Sequence, residues 1–149
     1  MKVSLSRASK RSPRWMDVAW RRRVARAAAG LGRRGETVNL VVVDDREIRR
    51  LNRRYRGHDK PTDVLSFGYE ATPGDAVVGE VFVSHETLAR DARRLGVDAR
   101  HLSMRIVVHG FLHVVGYDHE TDADARRMER RERAALKRVL PASVVRELF

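Results

Sequence analysis

The chain has 149 residues, no cysteine, and 31 Lys and Arg against 20 Asp and Glu, a formal net charge of +11. That length is enough for one domain with a real core, and the lack of cysteine excludes disulfides, a thiolate nucleophile and a cysteine-ligated metal. No apolar run reaches signal-peptide or membrane-spanning length, so the expectation is a cytoplasmic protein that binds no membrane. Lysine occurs only at Lys2, Lys10, Lys60 and Lys137, so nearly all the positive charge is arginine. Its planar fork matches phosphate and stacks on bases, which points to a polyanionic partner. A bias toward arginine spread over solvated surface gives the same composition.

In chain order, Lys2 to Ser6 alternates with Val3 and Leu5 on one side and predicts a short strand. Arg7 to Arg11 is a basic connector. Ser12-Pro13 is a helix start, with serine as N-cap and proline in the first turn. The helix is predicted to run to about Ala29, with Trp15, Val18, Ala19, Val24 and Ala27 to Ala29 toward the core and Gly30 or Gly32 ending it. Arg21-Arg22-Arg23 reads as a solvated face. Thr37 to Val43 is a β-branched strand. Asp44 and Glu47 form the pattern of a capping box for a helix from Asp45 to Tyr55, with Ile48, Leu51 and Tyr55 as its buried stripe. Pro61 stops any helix across the Gly57 to Thr62 loop.

Asp63 to Tyr69 and Val77 to Ser84 predict two strands, paired as a hairpin through the turn-rich Thr72-Pro73-Gly74-Asp75. Ser84 caps a helix to about Leu95, which Gly96 closes. A further helix spans Asp98 to Val115, and Thr121 starts a last, charged helix to about Val139 with Met128 in its core. A tail begins at Pro141. The order predicts an α+β or mixed α/β fold, about four strands packed with about five helices. The whole of residues 1–149 is expected to be a single domain, residues 1–14 including the basic connector and 141–149 forming the tail.

Three of the six histidines lie in one stretch, His109 to His119. The run before it is apolar at nearly every helical position (Leu102, Met104, Ile106, Val107, Val108, Phe111, Leu112, Val114, Val115), which predicts a helix buried on most of its surface. His109 and His113 stand at i, i+4 and so project from one face, about 5–6 Å apart at Cβ. Gly116 ends the helix, and the turn lets His119 return toward the same point. Three imidazoles at one point make a metal site with a fourth position open to water. The spacing is that of the metzincin signature, H-E-x-x-H-x-x-G-x-x-H, a zincin-like metal helix, except that Gly110 replaces the glutamate that acts as peptidase base. A glycine inside a helix costs roughly 1 kcal/mol against alanine, so Gly110 is expected to serve close backbone approach or room for substrate.

The stretch His109-Gly110-Phe111-Leu112-His113-Val114-Val115-Gly116-Tyr117-Asp118-His119 resembles the signature of the YbeY family, bacterial metal-dependent endoribonucleases of rRNA maturation. The run from Leu51 to Phe67, which includes Arg56-Gly57-His58-Asp59-Lys60-Pro61-Thr62-Asp63, resembles that family's second block. With the elements between, the resemblance covers about residues 37–138. It implies a small mixed sheet with helices, a metal cleft beside it bordered by Thr62-Asp63, and a functional arginine at Arg56. Glu80 departs mildly from the pattern, standing where aspartate is expected.

The predicted metal ligands are therefore His109, His113 and His119, holding one Zn²⁺, the ion suited to three neutral nitrogen ligands. Arg56 and His109 are the predicted catalytic residues, Arg56 neutralising the scissile phosphate. Read from the residues alone, Arg56 is equally a solvated arginine at a helix C-terminus. Asp118 is expected to hold the local turn or to orient a ligand imidazole, and Tyr117 to pack. His58, His85 and His101 lack ligand spacing with the triad. The resemblance implies rRNA and ribosomal particles as partners, maturation of the 3′ end of small-subunit rRNA, and ribosome quality control; no DNA partner is expected. Two other readings remain open: a zinc metallopeptidase-like hydrolase, against which Gly110 and the charge argue, and a non-catalytic ribosome-assembly protein with a structural metal, for which Asp118 is a candidate fourth ligand.

Overall fold

The computed structural model describes residues 1–70 and 76–149. Its sheet contains β1 (Lys2–Arg7), β2 (Thr37–Val43), β3 (Val64–Gly68) and β4 (Val77–Ser84). The strand order is β1-β2-β4-β3. β1 and β4 both run parallel to β2, whereas β3 is antiparallel to β4. The sheet is mixed, as the resemblance implies. The proposed hairpin turn Thr72-Pro73-Gly74-Asp75 lies outside the described residues.

Six helices are described: α1 (Val18–Ala28), α2 (Asp45–Arg56), α3 (His85–Leu95), α4 (Ala99–Val114), α5 (Asp122–Leu136) and α6 (Ala142–Glu147). Period-2 alternation in the strands separates two faces. Val38, Leu40 and Val42 of β2, with Val81 and Val83 of β4, pack in the main core with α1, α4 and α5. Val43 and Leu65 turn the other way and meet Ile48 and Leu51 of α2. Side-chain N-caps start five of the helices: Asp17, Asp44, Ser84, Asp98 and Thr121 each accept from a backbone N–H of the first turn.

Three sequence expectations are corrected. The first helix starts at Val18, not at Ser12-Pro13: Asp17 is its N-cap, accepting the Trp20 N–H at 2.9 Å. Its buried stripe is Trp20, Val24, Ala27 and Ala28, while Val18 is 59% exposed; Trp20 has a partner for its indole N–H in Ser103 Oγ, 2.9 Å away. Tyr55 is 54% exposed, and its place in the α2 stripe goes to Asn52, which is buried because its amide donates to the Lys60 carbonyl at 2.9 Å. The segment from Pro141 is more than a tail. It carries α6, and Val145 and Leu148 are buried in the main core. Among the described residues, no helix is long and apolar enough to cross a membrane.

Candidate metal centre

α4 is apolar around most of its circumference because it lies between the sheet and the helices α1, α3 and α5. Leu102, Met104, Val107, Val108, Phe111 and Leu112 are all buried. The helix lies so close to the strands that a Cβ on Gly110 would come within 2.6 Å of Val81 Cγ1, 3.1 Å of Ser66 Oγ and 3.2 Å of Val64 Cγ2. Close backbone approach is the role of this glycine. It fixes the height of His109 above β3 and β4.

The helix ends in two hydrogen bonds that reverse the chain. Gly116 N–H donates to the His113 carbonyl at 3.0 Å and Tyr117 N–H to the Leu112 carbonyl at 2.9 Å. That pair is a Schellman motif, and it requires the left-handed backbone that Gly116 supplies at φ 99°. His119 returns from this turn to the other two rings. Its backbone N–H donates to Asp118 Oδ1 at 2.7 Å, so Asp118 braces the turn.

One ligand nitrogen from each of His109, His113 and His119 lies within 4.8 Å of the other two. The Nε2 atoms of His109 and His113 are 3.1 Å apart. Zinc–nitrogen bonds of about 2.0–2.1 Å at tetrahedral angles require about 3.3 Å between ligand atoms. The helical pair already stands near that spacing. No carboxylate belongs to this cluster among the described residues, so three nitrogens leave a fourth direction open.

The electronic state of the rings suits a cation. His109 Nδ1 is hydrogen-bonded to Glu132 Oε1, and Glu132 on α5 is only 3% exposed. With Nδ1–H donating to that carboxylate, the Nε2 lone pair faces the other histidines. Burial, followed by the neighbouring His109 and His119, holds His113 below the usual imidazole range. The neutral ring, which is the ligand form, is favoured. The donor set fits a divalent ion of borderline softness.

Arg56, the last residue of α2, donates from Nη2 to the Ser66 carbonyl at 2.8 Å and lies over the Phe67 ring, 5.1 Å from its centroid. Ser66 is the residue whose hydroxyl underlies Gly110. Arg56 is thus fixed to the strand beneath the metal helix, and among the described residues no carboxylate pairs with it. Asp63 precedes the same strand. Burial pushes its carboxyl up, against the pull of the Val64 N–H, and it lies within electrostatic reach of His109. The Thr62 hydroxyl is hydrogen-bonded to the Asp63 carboxylate at 3.3 Å. Tyr117 packs at the edge of the main core with Arg131 over its ring. His85 is buried against Ser9 Oγ at 2.9 Å, away from the triad.

Glu132 is the residue that sequence reasoning missed. A signal was present, since Met128, Glu132, Ala135 and Leu136 form one helical stripe and all four are buried. A carboxylate in an apolar stripe requires a partner, and the three histidines were the obvious candidates.

A family described as Endoribonuclease YbeY matches residues 6–140. Among curated relatives, an Endoribonuclease YbeY from an Anaeromyxobacter species is 47% identical over 131 residues, covering 85% of this chain and 67% of its own length. The Endoribonuclease YbeY of Moorella thermoacetica is 48% identical over 122 residues, covering 74% of this chain and 78% of its own length. The solution structure of a Thermotoga maritima protein superposes with a TM-score of 0.64 at 25% identity, covering 92% of this chain and 88% of that one. A profile match over most of the length, relatives well above 30% identity and a shared fold agree: the chain belongs to the YbeY family.

Proposed function

We propose that this protein is a metal-dependent endoribonuclease of rRNA processing, acting in the cytoplasm as one domain on small-subunit rRNA 3′ ends within ribosomal particles. The observation that carries the reading is the cluster His109, His113 and His119, open on one side and backed by buried Glu132. His109, His113 and His119 would hold one zinc ion through ring nitrogens, with Glu132 fixing the His109 tautomer. The bound ion would supply Lewis acidity at a phosphoryl oxygen. Arg56, fixed by Ser66 and Phe67, offers its free N–H groups to the phosphate and stabilises the charge that develops there. Asp63, whose carboxyl is pushed up by burial, is a residue that the family resemblance assigns to the border of this cleft.

Substrate length is accommodated by α2. Arg46, Arg49, Arg50, Arg53 and Arg54 are exposed along it, with Arg49 and Arg50 partly neutralised by Asp59 and Glu47. Such a surface binds nucleic-acid backbone without reading bases.

The peptidase reading loses support at Gly110. Its Cβ direction is filled by Val81, Ser66 and Val64, so the helix has no room for a glutamate side chain at the position where that chemistry needs one. The structural-metal reading loses its fourth ligand, because the Asp118 carboxylate accepts from the His119 backbone and is outside the cluster.

The test is cleavage of a precursor rRNA fragment by the purified protein, by chelated protein, and by chelated protein reloaded with Zn²⁺. Activity lost on chelation and restored on reloading supports the reading. Activity indifferent to chelation sinks it.

A further inference from the structure

The buried carboxylate behind His109 has a second partner, and that partner leads to the end of the fold. Arg105 lies one helical turn before His109 on α4. Its Nε is 3.7 Å from Glu132 Oε2, while Glu132 Oε1 meets His109 Nδ1. The two oxygens of one carboxylate are thus divided between a cation and a ligand imidazole. The ion pair, longer than a hydrogen bond, draws Oε2 toward Arg105 and so biases the rotation of the carboxylate and the direction in which Oε1 accepts. A carboxylate this buried also needs a cation beside it, since its charge is otherwise uncompensated.

Arg105 is itself held from outside the histidine motif. Its Nη1 donates to the Leu148 carbonyl, and its guanidinium stacks on the Phe149 ring at 3.9 Å from the centroid. Arg133 of α5, next to Glu132, covers the same ring at 4.2 Å. Phe149 is therefore clamped between α4 and α5, the two helices that carry His109 and Glu132. Val145 and Leu148 anchor the segment in the main core. The family match ends at residue 140, so the clamp comes from a segment beyond it.

We propose that residues 141–149 brace the metal centre: Leu148 and Phe149 position Arg105, Arg105 positions Glu132, and Glu132 orients His109. Arg105, Leu148 and Phe149 are positioning residues that touch neither metal nor substrate. The proposal rests on the reading of His109 as a metal ligand.

The experiment measures Zn²⁺ affinity by competition with a chromophoric chelator, on full-length protein whose fold is checked by circular dichroism. The variants are F149A, R105A, E132Q, the double variants F149A/E132Q and R105A/E132Q, and H113A. Loss of the orienting carboxylate in E132Q is expected to weaken binding roughly 10- to 100-fold, and F149A and R105A to give part of that, about 3- to 10-fold. In the E132Q background, F149A and R105A are expected to add nothing, because their route to His109 is already cut. A general structural defect would persist in both backgrounds. F149A, an edge substitution, keeps the test decisive if R105A fails to fold. Wild-type affinity in folded F149A, or effects that multiply with E132Q, would overturn the brace while leaving the metal site intact. Wild-type affinity in H113A would instead overturn the metal-site reading, and the brace with it.

Discussion

Alanine at position 110 tests how tightly the metal helix is set on the sheet. The added Cβ would stand 2.6 Å from Val81 Cγ1, about 1 Å inside the optimal carbon–carbon separation of roughly 3.5–4.0 Å. Val81 is a fully buried strand residue, and β-branching restricts its rotation, so it cannot swing away. Overpacking of this kind costs about 1–3 kcal/mol, and the rigid neighbour places it near the upper end. Alanine returns about 1 kcal/mol in helix propensity. The net loss is then about 2 kcal/mol, or a fall in Tm of about 4–8 °C for a protein of this size. Urea denaturation in the presence of chelator reads this without any contribution from metal. In a V81A background, which removes the nearest atom, the cost of Gly110→Ala should shrink to near zero. A Gly110→Ala protein more stable than wild type would show propensity alone at work, and would refute the close approach of α4 to β4.

Arg56→Ala should lower RNA cleavage roughly 10²- to 10³-fold, with zinc content and thermal midpoint unchanged; a loss of zinc in step with activity would remove Arg56 from phosphate binding. Asp45 is pushed up by burial, but hydrogen bonds from Arg90, Ser84 and Thr87 outweigh this and hold its carboxyl below the ordinary 3.8. A depressed carboxylate contributes stability that is full above its unfolded value and lost as pH falls through the folded one. Asp45→Asn should therefore flatten the acid limb of a stability–pH curve below about pH 4, and an unchanged limb would contradict the assignment. RNA affinity should fall steeply with salt, and Arg53→Gln should reduce the slope of log K against log salt by about 1; a slope near zero would remove α2 from the RNA surface.

Local signals in the sequence placed most of the fold. The strand Thr37–Val43 and the capped starts at Asp44, Ser84 and Thr121 match the structure, because each rests on short-range chemistry that tertiary packing does not override. The i, i+4 histidines and the Gly116 turn are equally local, and the cluster they form was legible for that reason. The misreadings came from choices that only packing decides. Ser12-Pro13 and Asp17 are both acceptable helix starts. Burial of Trp20 against Ser103 on α4 selects the second, and Ser103 is 83 residues away. Tyr55 has the spacing of a core residue but meets Phe67 edge-on at the rim of the sheet, 5.3 Å between centroids. Glu132 is marked in the sequence by its place in the stripe with Met128, Ala135 and Leu136, but only the three-dimensional fold pairs it with His109. The tail became a helix because Val145 and Leu148 find apolar partners that no local pattern announces.

The central claim, that three histidines hold a metal required for RNA cleavage, is tested most directly by measuring both quantities on the same samples. Zinc content and cleavage of a precursor rRNA fragment would be determined for wild type, H109A, H113A and H119A prepared identically. Wild type should carry about one zinc per chain and each variant little, and cleavage should fall with the metal. Full cleavage by a variant free of zinc would contradict it.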